Sequence, residues 1–312
     1  MRLHSALTLT FTIPSALALS CGGSTPGPVG TEAGPDATST SDAGGDAGTG
    51  STARFSFFVT SYRAIVEQSG KAEGFGGDLR FGETGPGAGL RGADKICTKI
   101  AEKSMPGSGA KTWRAFLSAS RDENGKQVDA IERGGGGPWD DRLGRVVALA
   151  KADLLHDRPS SADPLILNDL PNEDGVPNKT PDPGKGPADN HHMLTGTNGQ
   201  GRLFASHTTC LDWTSAKGDL ATEGRPRVGL SFPRAGPPMD GGLRPDGGGP
   251  PPPPDGGPQP SSSSSHWIDA MLESGCAPGV VLVPTPTPPP PGTVSVGSGG
   301  GYGGFYCFAL TP

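Results

Sequence analysis

The chain has 312 residues, of which 52 are Gly and 34 are Pro, with 32% hydrophobic and 6% aromatic residues and a formal net charge of −6. So much Gly and Pro beside so little apolar side chain leaves stretches unable to bury enough surface to offset their ordering entropy, which argues against two full globular domains. The acidic balance excludes a basic footprint for nucleic acid or for an anionic membrane surface.

Residues 1–21 read as an export signal. Arg2 supplies positive charge, and residues 3–19 form a moderately apolar run, broken by Pro14, that is too short to span a bilayer. The run ends in Leu17-Ala18-Leu19-Ser20-Cys21, small or apolar residues ahead of a cysteine. This resembles the lipobox of bacterial lipoproteins, with Ala18 where that pattern carries Leu and with Leu17 one place early. An ordinary signal peptide is the alternative, but it leaves the odd cysteine without a use. The resemblance implies that Cys21 is the lipid attachment site, and that acyl chains hold the protein at the cell envelope without a transmembrane helix. Gly22 at the second position, in place of Asp, implies the outer membrane. Residues 22–52 follow, with Glu32, Asp36, Asp42 and Asp46, no Lys or Arg, and Val29 as the one large apolar side chain. Such a Gly-rich disordered tether has a reach of roughly 30 Å.

A domain is expected over residues 53–312. Residues 54–62 are rich in Phe, Val, Thr and Tyr and suit a buried strand. A Gly-rich loop spans 70–89, in which Gly74-Phe75-Gly76-Gly77 reads as loop composition alone. Ala93, Ile96, Cys97, Ile100 and Ala101 then recur at helical spacing among charged residues, which predicts one amphipathic helix ending before Pro106-Gly107. Residues 113–117, 146–150 and 305–310 read as strands, giving an α+β, loop-rich fold with one main helix. Two inserts, about 233–265 and 284–292, contain unbroken runs of Pro and of Ser. Proline lacks the backbone donor a sheet needs, so both inserts are expected to be disordered loops.

Cys97, Cys210, Cys276 and Cys307 remain after Cys21. Four cysteines allow three pairings, and in an exported chain with a thin core disulfides are the expected staple. Their spacing contains no C-x-x-C pair, so zinc is disfavoured. His191-His192 beside Asp189 suggests metal, but neighbouring residues on an extended chain point to opposite faces, which favours a packing role. Trp113, Trp139, Trp213 and Trp267 could make a sugar-stacking platform, with core packing the better reading for Trp113 and Trp213. No nucleophile elbow, zincin helix or phosphate-cradling loop appears, so neither catalysis nor a cofactor is expected.

Several strings in order resemble a known family: Gly89-Leu90-Arg91-Gly92-Ala93-Asp94, Cys97, residues 112–118 (TWRAFLS) and Leu194-Thr195-Gly196-Thr197-Asn198-Gly199. They continue with Cys210-Leu211-Asp212-Trp213-Thr214, Gly275-Cys276 and Phe305-Tyr306-Cys307-Phe308. Together they resemble the endostatin domain of type XV and XVIII collagens and bacterial lectin-like lipoproteins of unknown function. The resemblance implies a C-type-lectin-like fold with nested disulfides Cys97–Cys307 and Cys210–Cys276. The calcium-binding motifs of sugar-binding C-type lectins are absent, the nearest strings being Pro171-Asn172-Glu173 and Asp212-Trp213-Thr214. No histidine lies between His4 and His156, where endostatin would carry its zinc ligands. The expectation is a non-catalytic module for an extracellular protein or glycan. An enzyme on a scaffold like that of the formylglycine-generating enzymes is the alternative, and it would need a free cysteine.

Overall fold

The computed structural model describes residues 54–179, 191–233, 266–280 and 294–311. The export signal, Cys21, the tether and almost all of both proline-rich inserts lie outside the described residues. The molecule is organised around one long strand, β8 (Gly301–Ala309), buried at every position. At Cys307 it is hydrogen-bonded along both edges, antiparallel to β1 (Phe57–Val59) and to β2 (Trp113–Ala115). Its first half runs parallel to β5 (His192–Leu194), which pairs antiparallel with β6 (Arg227–Leu230), and β6 with β7 (Met271–Leu272). A separate hairpin joins β3 (Trp139–Asp140) to β4 (Val146–Ala148). The fold is α+β with a mixed six-stranded sheet.

Two helices lie near the start of the domain. The expected strand at 54–62 is shorter than its composition suggests, because Ser61 caps a helix: its hydroxyl accepts from the Ala64 N–H at 3.1 Å. That helix, α1 (Tyr62–Ser69), ends at Gly70, which is left-handed at φ 68° and returns its N–H to the Val66 carbonyl at 2.9 Å. The main helix, α2 (Ala88–Ser104), is about 25 Å long. Its buried stripe of Leu90, Ala93, Ile96, Cys97 and Ile100 packs into the core. Gly89 and Gly92 let other backbone touch the helix. A β-carbon on Gly89 would lie 2.2 Å from the Asp212 carbonyl oxygen, and one on Gly92 2.1 Å from that of Arg80. Asp94, in the same string, ties α2 to β2. Its carboxylate accepts from the Ala115 N–H (2.9 Å), Arg114 Nη1 (2.8 Å) and Arg133 Nη2 (2.7 Å).

All four tryptophans are at most 1% exposed, which removes the sugar-stacking platform. All four belong to the core; Trp139 lies 5.3 Å and Trp267 6.4 Å from Phe308 of β8, and Trp113 5.2 Å from Phe55, ring centroid to centroid. Each indole N–H meets a carbonyl: Ser108 for Trp113, Gly134 for Trp139, Ser118 for Trp213 and Leu154 for Trp267. Their polar edges are thus satisfied inside, and a packing role needs no solvent face.

The loops reuse one device. Asp122, Asp141, Asn172 and Asn198 each open a D/N-x-x-G-x turn in which the side-chain Oδ1 accepts the N–H groups two and four residues on. The fourth residue is a glycine with φ between 68° and 78°. Such turns close hairpins with a left-handed bulge, where glycine avoids the β-carbon penalty.

Disulfides join Cys97 to Cys307 and Cys210 to Cys276, each with Cα atoms 5.7 Å apart. The first clips α2 to the second half of β8. In the chain-entropy model their separations of 210 and 66 residues correspond to upper values of about 5 and about 4 kcal/mol.

Candidate functional site

Three polar or open places stand out. The first is His191-His192, both buried. The two rings do not point to opposite faces: their centroids lie 4.2 Å apart, edge to face. The pairing of β5 with β8 shifts register between His192 and Met193, and such an irregularity re-aims the side chains beside it. His192 Nδ1 meets the Glu273 carboxylate, whose other oxygen accepts from Ser298 Oγ (3.0 Å) and the Gly299 N–H (2.8 Å). Among the described residues no three His, Cys, Asp or Glu side chains gather to hold a metal. The pair is a buried polar tie between strand and loop.

The second is a cavity of about 80 Å³ between α1 and the end of α2. Glu173, in the string Pro171-Asn172-Glu173, forms its wall and is 2% exposed. Its carboxylate accepts the Ser61 N–H at 2.9 Å and the Ser61 hydroxyl at 2.6 Å, with Arg63 Nη2 at 3.4 Å. Burial pushes its pKa up to about 7, and the Ser61 hydrogen bonds oppose the rise. With room for only a few waters, this cavity fits a cap on the helix start better than a ligand site.

The third is an open groove of about 480 Å³. Phe75, Asp78, Arg80, Phe81, Ala216 and Pro278 are among the residues that line it. The segment Gly74-Phe75-Gly76-Gly77 is loop and turn, and Gly74 and Phe75 belong to the groove's lining. The Phe75 and Phe81 rings meet edge to face at 5.9 Å. Phe81 has φ +48° and is followed by Gly82 at +84°, in a turn closed by the Glu83 N–H to the Arg80 carbonyl at 2.9 Å. Two successive positive φ values are the sign pattern of a type I′ turn, which favours Asn-Gly. An aromatic residue held there costs on the order of 1–3 kcal/mol. The polar groups beside it are fixed in pairs. Asp78 accepts Arg80 Nε at 2.8 Å and Nη2 at 2.5 Å, which holds the guanidinium pKa above its usual value. Lys95 and Arg91 hold the Glu83 carboxyl below its usual value. Near pH 7 the groove therefore offers fixed donors and acceptors beside an aromatic corner.

The groove stands on a strained support. Cys210, Leu211, Asp212 and Trp213 have φ of 50°, 55°, 55° and 64°, a left-handed turn built without glycine. Left-handed backbone costs roughly 1–2 kcal/mol per residue. Thr209 Oγ1 accepts the Asp212 N–H (3.2 Å), Asp212 accepts from the Ser120 N–H (2.6 Å) and hydroxyl (2.7 Å), and the Cys210–Cys276 bond pins the first residue. Sequence reasoning places Cys210 and Trp213 correctly inside but passes over Phe75 and Phe81. The available signal was Phe81-Gly82 at the tip of a loop, an aromatic where turn chemistry asks for Asn or Asp.

No protein-family model matches this chain, and no curated protein matches it. All four cysteines of the described residues are bonded in pairs, so none offers the thiol that a formylglycine-type site would need.

Proposed function

We propose that the protein is an exported lipoprotein, anchored through Cys21 at the outer membrane, whose lectin-like domain binds a glycan in the Phe75–Phe81 groove. One observation carries this reading: an aromatic residue is held in a left-handed turn where its ring walls an open groove. Strain of that kind persists where a site requires it. The chemistry suits a sugar. The C–H face of a pyranose packs on an aromatic ring, while its hydroxyls bond to fixed carboxylates and guanidinium groups such as Asp78 and Arg80. Paired cysteines and the order of motifs from Gly89 to Phe308 support a lectin-like domain in an oxidising compartment. The test is a glycan array probed with the wild type and with Phe81→Ala. Retention of defined glycans by the wild type, lost in the variant, supports the reading. Equal retention by both, or by neither while an extracellular-protein array scores, overturns it.

A further inference from the structure

The groove is assembled around the Cys210–Cys276 bond. The Gly77 N–H bonds to the Cys276 carbonyl (2.8 Å) and the Leu79 N–H to the Trp213 carbonyl (2.9 Å), with Asp78 bridged to Thr214 between them. A β-carbon on Gly77 would stand 2.5 Å from that of Cys210, so the loop bearing Phe75, Asp78 and Phe81 lies directly on the disulfide. Two further lining residues come from the segments that leave the two cysteines, Ala216 from one and Pro278 from the other. Removing the bond would therefore take away the one covalent link between these segments and leave hydrogen bonds such as Gly77 N–H to Cys276 and Ala277 N–H to Val294 to hold them.

We propose that the Cys210–Cys276 disulfide is a releasable clamp: its reduction lets the turn Cys210–Trp213 relax and takes the groove apart, while Cys97–Cys307 keeps α2 and the sheet folded. This rests on the groove's being the binding site only for its functional consequence. The co-reactant is a thiol or dithiol reductant. Its thiolate attacks one sulfur, the other leaves as a thiolate and takes up a proton, and a second reductant thiolate displaces the mixed disulfide. Two electrons and two protons end on Cys210 and Cys276, and the reductant ends as a disulfide.

Both bonds are buried, so a reductant reaches them only through opening motions. Exposing Cys307 means separating β8 from β1 and β2, which flank it on both edges. Exposing Cys210 and Cys276 needs only loops to lift, the lower-energy class of opening. The turn then has a reason to move, because its four residues sit in backbone that L-amino acids avoid once nothing holds them. Hydrogen bonds remain on it, among them the Thr209 cap, the Asp212 carboxylate, the Trp213 indole N–H and the Leu79 N–H to the Trp213 carbonyl, but none is covalent.

The experiment treats the full-length wild-type protein with increasing dithiothreitol in the absence of denaturant, then alkylates, maps thiols and follows backbone hydrogen exchange. Cys210 and Cys276 should be alkylated while Cys97 and Cys307 remain joined. The amides of Gly77 and Leu79 should then exchange about tenfold faster or more, with Phe58 and Ala115 unchanged, as for a local opening. A Cys210→Ala/Cys276→Ala variant should match the reduced protein. Simultaneous loss of both bonds, or loss of Cys210–Cys276 with protection at Gly77 and Leu79 intact, overturns the clamp. These readouts need no ligand, so the glycan reading can fail without the clamp failing. If both hold, reduction abolishes retention of the array's glycans.

Discussion

Replacing Glu173 with Gln removes a pH dependence whose sign and size follow from where the carboxyl sits. Glu173 is 2% exposed, accepts two hydrogen bonds from Ser61 at the start of α1, and has its pKa pushed by burial from 4.5 to about 7. A carboxyl with a raised folded-state pKa binds its proton more tightly folded than unfolded. Below about pH 4.5 both states hold the proton and nothing is lost. As pH rises from there to about 7 the unfolded chain releases it first, and stability falls with pH. At about 1.4 kcal/mol per pKa unit, the loss reaches about 3 kcal/mol once pH exceeds 7. Gln copies the protonated group, so Glu173→Gln should match the wild type near pH 4.5 and be more stable by about 3 kcal/mol at pH 8. Urea melts of both proteins at those two pH values measure the difference, and the comparison cancels every other titrating group. A gap that stays constant with pH would refute the argument. So would a gap of opposite sign, which would mean that Ser61 and Arg63 stabilise the charged carboxylate more than burial penalises it.

Phe81→Asn should leave stability within about 1 kcal/mol, because relief of left-handed strain offsets the lost packing of a partly buried ring against the core, while glycan retention disappears. A loss above about 2 kcal/mol in chemical denaturation would make the ring a core pillar and not a groove wall. Asp94→Asn should lower stability by about 3 kcal/mol, since Arg133 keeps its buried charge and loses the carboxylate partner; a change under 1 kcal/mol would show the pair to be dispensable. Metabolic labelling with an alkyne fatty acid should tag the wild type and not Cys21→Ser, and equal labelling of both would contradict lipid anchoring.

What the sequence disclosed followed local signals. The stripe of Ile96, Cys97 and Ile100 carried α2, and Phe305 to Phe308 carried the end of β8, because burial on a regular element leaves a period. Helix α1 was hidden by its own composition: Tyr62, Ile65 and Val66 extend an aromatic, β-branched run, and only the Ser61 cap and Gly70 mark a helix. Strands β5, β6 and β7 have two to four residues and take their pairing from distant segments, which leaves almost no local trace. The four D/N-x-x-G loops were legible in principle, since each states its turn chemistry in five residues. The groove was not. Phe75 and Phe81 share a groove with Ala216 and Pro278 because the chain returns through a disulfide and a left-handed turn, and no spacing in the sequence encodes that return.

The most direct test of the groove as the binding site is backbone hydrogen exchange of the oxidised protein with and without a glycan selected on the array. New protection should fall on residues 74–84 and around Ala216 and Pro278. Protection instead around Ile131, Leu155 and Arg202, which line a separate open pocket, would place the ligand elsewhere and contradict the account.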